Sequence, residues 1–441
     1  MTALDMSAFT PHALRESVLN EVHARPFTPL TQPVSVIRFA FMAKGDSAVA
    51  DRASLAAFCA QHGAPPPEPG VKHHQLVVGA ARLRWEQHAE FATLTWIWSP
   101  PDAAPPRRFG AIAPELKTLI SALPQAGELL VAVKLEVESV ADPLARAEAV
   151  FDKTSLALVA VKGSSGAVAS DFRLDEDGFT RILVCIEGPT PERLGALVQR
   201  VLELETYRTL ALLGLPAALE LAPQVDRIER RLGEVLEEMQ GAETLKLNNH
   251  LLTELTELAA SLERGATGTL FRFGASRAYY DLVQARLNVI EGEPIAPYSS
   301  WSSFLARRIA PAMRTLNALE GRQSELSRKL ARAADLLRTR VDVELEEQNR
   351  DLLRSMNERT KLQLRLQSTV EGLSVAAIGY YVVSLFGYLA KGAHDIGLPV
   401  EPTFATAAFV PVAIALIWFT THQIRKRHLK EDHEAEKVGK E

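Results

Sequence analysis

Two long uncharged runs near the C-terminus constrain this chain more than any other feature. No Asp, Glu, Lys or Arg occurs between Glu371 and Lys391, where the sequence reads GLSVAAIGYYVVSLFGYLA. None occurs between Glu401 and Arg425, where it reads PTFATAAFVPVAIALIWFTTHQI. A helix needs roughly 20 apolar residues to cross a hydrocarbon core about 30 Å thick, and both runs reach that length. A long core helix of a soluble protein carries a polar stripe, and neither run has one. The pair predicts a transmembrane hairpin over 372–421.

The helical pattern continues upstream. From Ala312 to Val370 there is no Pro, and Gly321 is the single Gly. Apolar residues recur at steps of three and four, from Leu316 through Leu330, Leu337 and Leu345 to Met356. At 1.5 Å per residue, a helix from Pro311 to Glu371 extends roughly 90 Å. Such a helix needs packing along its length, so a homo-oligomer is expected. Its other faces carry Arg322, Arg328, Arg332, Arg338 and Arg340, then Asp342, Glu344, Glu346 and Glu347. These read as solvated surface or as charge pairing between neighbouring helices.

The formal charge is −5, with no basic stripe interleaved with aromatics, which argues against a nucleic-acid partner. Cys59 and Cys185 lie far apart, form no metal or redox motif and fit a reducing compartment. Residues 1–26 show neither a basic n-region nor an apolar h-region, so no secretory signal is expected. Lys361 and Arg365 precede the hairpin, and Arg425, Lys426, Arg427 and Lys430 follow it. The connecting loop, KGAHDIGLPVEP, holds a single Lys, Lys391. By the positive-inside rule both termini are cytoplasmic, and the expected location is the bacterial inner membrane.

In chain order, Pro11 to Val22 reads as a short helix and Val34 to Ala43 as a strand. A helix follows over Ala48 to His62, then two or three adjacent strands within His73 to Trp98. A helix near Pro114 to Ala122, a strand from Leu129 to Glu138 and a helix near Pro143 to Ala149 come next. Two more strands, LALVAVKG and FTRILVCIEG, end this part. The mixed order predicts an α/β (or α+β) fold. From Pro191 helices dominate, punctuated by Pro216, Gly241, Gly265 and Gly292-Glu293-Pro294. The expected plan is a cytoplasmic α/β domain (1–190), a helical collar (191–300), a stalk helix (301–371), the hairpin (372–421) and a charged cytoplasmic tail (422–441).

Few residues suggest chemistry. EVHARP sets Glu21, His23 and Arg25 at the end of a helix, where His and Arg satisfy terminal carbonyls or bind an anion. Glu86, His88 and Glu90 alternate, so a continuous strand places them on one face, as a metal site or as solvated sheet surface. A divalent cation is the one cofactor such a trio would take. GSSGAV lacks the Lys and the following helix of a phosphate loop. No nucleophile has a placeable base, so the chain is not read as an enzyme. Arg272, Arg277 and Arg286 with Tyr279 and Tyr280 suggest a packing junction.

The blocks EVHARP, RWEQHAEF and FRFGASRAYYDLV, with the run from RTRVDVELEEQNR to VEGLSVAAIGYY, resemble a family of uncharacterised bacterial membrane-anchored proteins, a domain of unknown function. The likeness spans nearly the whole chain and implies almost nothing about activity. In architecture the α/β head, long helix, short outer loop and basic tail are similar to the CorA-type magnesium channels. That resemblance implies a cation or solute conduit; in a conduit the first span, continuous with the stalk, is expected to line the pore, with Gly372, Ala376, Gly379, Val383 and Gly387 facing inward and Lys391 at its outer mouth. The family's Gly-Met-Asn signature is absent; the corresponding stretch reads GYLAKGAHDIG. A scaffold or signalling protein, anchored by the hairpin and binding a partner through its head, is the alternative.

Overall fold

The computed structural model describes residues 10–438 except 11, 16–17, 20–26, 44, 46, 100–108, 110–111, 243, 397–398 and 400. Side chains are described as far as 420 and at 423. The strands are β1 (Val34–Met42), β2 (His73–Val78), β3 (Ala81–Gln87), β4 (Phe91–Trp98), β5 (Glu128–Glu138), β6 (Ala157–Val161), β7 (Ala167–Ser170), β8 (Thr180–Cys185) and β9 (Glu291–Pro294). The helices are α1 (Ser47–Gln61), α2 (Pro114–Ser121), α3 (Pro143–Val150), α4 (Pro191–Leu212), α5 (Gly214–Gln240), α6 (Leu245–Ile290), α7 (Trp301–Asp395) and α8 (Pro402–Val438). The chain divides into two compact units, Met1–Ala242 with His250–Leu336 and Glu243–Asn249 with Leu337–Glu441.

In the first unit the described strands form one mixed sheet, in the order β2-β3-β4-β1-β5-β8-β7-β6-β9. Only the β5–β8 pairing is parallel among these strands. Period-2 alternation gives the sheet two different faces. One carries Ile37, Leu83, Trp85, Leu94 and Trp96, buried with Leu55 and Phe58 of α1 and Leu116 of α2. Further along the sheet, Leu158, Ala169 and Leu183 pack with Ala147 and Phe151 at α3. Helix α3 starts where its sequence says it should: Asp142 accepts a hydrogen bond from the Ala145 amide (3.0 Å), and Pro143 fills the first turn.

The mixed α/β class agrees with the sequence reading; two details differ. Strands β7 and β9 fall where only loop and punctuation were expected, because both are short and one contains Pro. Pro294 is tolerated because β9 is an edge strand. Gly265 does not end a helix: α6 runs through it, and a Cβ there would lie 2.8 Å from Leu221 Cδ1 of α5. The missing side chain lets two helices approach closely. Helix α7 begins at Trp301, at the bound expected for the stalk and upstream of the Pro311 from which its uninterrupted pattern is read. Ser300 caps it, its hydroxyl accepting from the Ser303 amide, and Pro311 sits inside the helix.

The start of α7 is fastened to the sheet edge. Trp301 Nε1 donates to the Ala157 carbonyl (3.1 Å), and the Leu158 amide donates to the Ser299 carbonyl (3.1 Å). Farther along, Arg322 pairs with Asp226 and Glu229 of α5, and Glu320 pairs with Arg277 of α6. For Arg322, pairing with a neighbouring helix is the reading that applies. Leu316, Leu319, Leu326 and Leu330 are buried along the same stretch.

The second unit holds the C-terminal part of α7 together with α8. Here Leu345, Leu352, Met356 and Leu366 are exposed. α7 and α8 are long and apolar enough to cross a membrane, and only 6% of each apolar window is buried within the chain. Soluble core helices are mostly buried, so these two do not fit that role.

Candidate functional site

The sheet face opposite α1 and α2 carries a polar row. Strand register puts Arg38 beside Thr95, Thr95 beside Arg84 and Arg84 beside Gln75. The next row sets Thr93 beside Glu86 and Glu86 beside His73. Polar residues alternating with Trp85, Leu94 and Trp96 would face water if nothing covered them. Helices α4 and α6 cover this face, and Arg38, Arg84, Glu86, Thr93 and Thr95 are all buried.

Glu86, only 2% exposed, is the acceptor at the centre. Arg84 Nη2 donates to its Oε1 at 2.5 Å, and Arg38 Nη2 to its Oε2 at 3.4 Å. Thr93 Oγ1 donates to Oε2 as well, at 3.3 Å. Burial alone would raise the Glu86 pKa, but the Arg38 and Arg84 guanidiniums outweigh it and hold the carboxylate below its ordinary range. Nearby His73 is lowered by burial and by the Arg84 charge, so it is the more firmly neutral.

The network reaches into both covering helices. Arg84 Nη1 donates to Gln199 Oε1 of α4 (3.1 Å), and Gln199 Nε2 donates to Glu203 Oε1 (2.8 Å). Glu203 also accepts from Arg286 Nε of α6 (2.6 Å). At the end of the β3–β4 hairpin, Glu90 accepts from Arg272 Nη2 (2.6 Å). Burial and a hydrogen bond to Glu90 push the Tyr279 hydroxyl pKa up, and its ring stacks on Tyr207 at 5.8 Å. The Arg and Tyr cluster of α6 is thus a packing junction against the sheet and its neighbouring helices.

The expected Glu86, His88 and Glu90 trio is not assembled as a strand face. Strand β3 ends at Gln87, so alternation stops there. Glu86 is engaged by the two arginines, His88 stacks on Phe91 at 4.1 Å, and Glu90 turns to Arg272. Among the described residues no group of three His, Cys, Asp or Glu side chains is placed to hold a metal ion. The Glu21, His23 and Arg25 trio lies outside the described residues. Arg38, Arg84, Gln199 and Glu203 were not singled out from sequence. The legible signal was Arg84–Glu86 and Thr93–Thr95, each pair two residues apart on a strand with apolar residues between.

Close approach of α4 is built into the sequence. A Cβ on Gly195 would lie 2.0 Å from the Thr28 carbonyl oxygen, a backbone atom that cannot step aside. Gly195→Ala is therefore expected to cost about 1–3 kcal/mol in chemical unfolding. Gly274→Ala on α6, where a Cβ meets nothing within 4 Å, should be neutral or stabilising.

In the second unit two glycines of α7 turn toward α8. A Cβ on Gly379 would lie 3.5 Å from Ile417 Cδ1, and one on Gly387 would lie 3.4 Å from Thr406 Oγ1. Phe386 stacks on Phe409 at 3.8 Å. Ala376, Gly379 and Val383 line an apolar groove of about 490 Å³ with Ala413, Ile414 and Ile417 of α8. Gly372 meets nothing within 4 Å, and Lys391 is exposed near the end of α7.

No curated protein matches the chain. Residues 10–428 match the family described as Protein of unknown function (DUF3422), and the chain belongs to that family.

Proposed function

We propose that the protein is a membrane-anchored binding protein: α7 and α8 supply a two-span anchor, and the sheet with its covering helices is the cytoplasmic partner-binding part. The observation that carries this reading is the use of Gly379 and Gly387, which pack against Ile417 and Thr406 within the hairpin. Small residues spent on close helix contact serve an anchor. A conduit of CorA-like architecture would need them along an axial path, and Lys391 would disfavour cations at its mouth. The anchor sits in the bacterial inner membrane with both termini in the cytoplasm, and the exposed leucines of α7 join copies into a homo-oligomer.

Three measurements test this reading. The full chain should resist carbonate extraction from membranes, whereas a chain ending at residue 371 should be released. A cysteine introduced at His394 should label from outside intact cells. Purified protein in liposomes should carry no more cation flux than empty vesicles. Flux from the wild type, increased by Lys391→Glu, would instead establish the conduit.

A further inference from the structure

Between α4 and the polar row lies a cavity of about 20 Å³, lined by Arg38, Arg84, Thr95, Thr28, Gly195 and Gln199 among others. Arg38 Nε, Arg84 Nε and Thr95 Oγ1 are buried without a hydrogen-bond partner among the described residues. The strand register explains why they converge. Thr95 on the middle strand is flanked by Arg38 on one side and Arg84 on the other, all on one face. A buried polar group without a partner is costly, and a buried charge without a counter-charge more so.

Charge and donor type decide what fills this space. The two guanidiniums share one carboxylate, Glu86. The next carboxylate along the network, Glu203, is already engaged by Arg286. The row therefore keeps one positive charge in excess. Both Nε–H groups are donors with no acceptor capacity, and the Thr95 hydroxyl is free to donate too. A volume near 20 Å³ admits one particle about the size of a water molecule. A water would satisfy some of these donors and leave the charge unbalanced. A small monovalent anion answers both.

We propose that this cavity is a binding site for a single monovalent anion of halide size, held by Arg38 Nε, Thr95 Oγ1 and Arg84 Nε, which ties α4 to the sheet. Binding to the folded state alone raises its stability with ligand concentration. The full-length protein in detergent should therefore melt at a higher temperature in sodium chloride or bromide than in sodium gluconate of equal ionic strength, because gluconate is too large to enter. Thr95→Val keeps the shape and removes one donor. Its half-saturating chloride concentration should rise about tenfold. Equal melting in chloride and gluconate would overturn the proposal, as would an identical chloride response in wild type and variant. Wild-type crystals grown in bromide supply an arm independent of the variant's folding. An anomalous peak between Arg38, Thr95 and Arg84 supports the site, and density without anomalous signal shows that the cavity holds water alone.

Discussion

Glu86→Gln is expected to destabilise the protein by about 3–5 kcal/mol near neutral pH, because it leaves two buried guanidiniums without their shared carboxylate. Denaturant unfolding of both proteins measures this. The pH dependence has a definite sign. Glu86 is held below its ordinary pKa in the fold. Its contribution is complete above the unfolded value of about 4.3, and is lost as pH falls through the lower folded value. The gap between wild type and Glu86→Gln should therefore close only in acid. Replacing Arg38, Arg84 and Glu86 together by Met removes all three charges and should recover most of the loss. A Glu86→Gln protein within 1 kcal/mol of wild type would show that the carboxylate does not balance these arginines.

The second large effect concerns assembly. Leu345, Leu352 and Leu366 fall seven or fourteen residues apart and are exposed in the single chain, whereas Leu330 and Leu337 are buried. A seven-residue spacing keeps side chains on one side of a helix in a coiled coil. Changing Leu345, Leu352 and Leu366 together to Asp should convert the proposed oligomer to a folded monomer, read as particle mass in mild detergent by light scattering. The same change at Leu330 and Leu337 should unfold the chain instead. A wild type that is already monomeric would remove the stalk as an assembly surface.

Much of the fold was legible because its signals are local. Strand β1, helix α1 and the three-strand stretch ending at Trp98 announce themselves by alternation, aromatic content and turn residues. The uncharged runs inside α7 and α8 do so by length. What failed was a punctuation signal with two meanings. Gly265 looks like a helix end but permits contact with Leu221.

The candidate site was half legible. Glu86 stood out by its spacing with His88 and Glu90, but the alternation that drew attention to it also suggested a solvated face. Whether a polar face meets water depends on what packs over it. Gln199 and Arg286, which help cover it, come more than a hundred residues later. Nothing in the pattern around Glu86 encodes that long-range packing. The charge excess between Arg38 and Arg84 becomes visible only when strand register brings them to either side of Thr95.

The edge strand β9 has a consequence for how the chain is made. β6 pairs with β7 on one side and with β9 on the other, and β9 is encoded more than a hundred residues downstream. A ribosome adding about 5–20 residues per second needs on the order of ten seconds to travel from the end of β6 to Pro294. Throughout that interval the apolar segment ALVAV presents an unpaired edge, the kind of surface on which strands from neighbouring chains add. Nascent copies crowded on one messenger are thus most vulnerable to mispairing after β8 has emerged and before α6 has been completed. Slowing translation within α4 to α6 should increase aggregation, while slowing it after Trp301 should not.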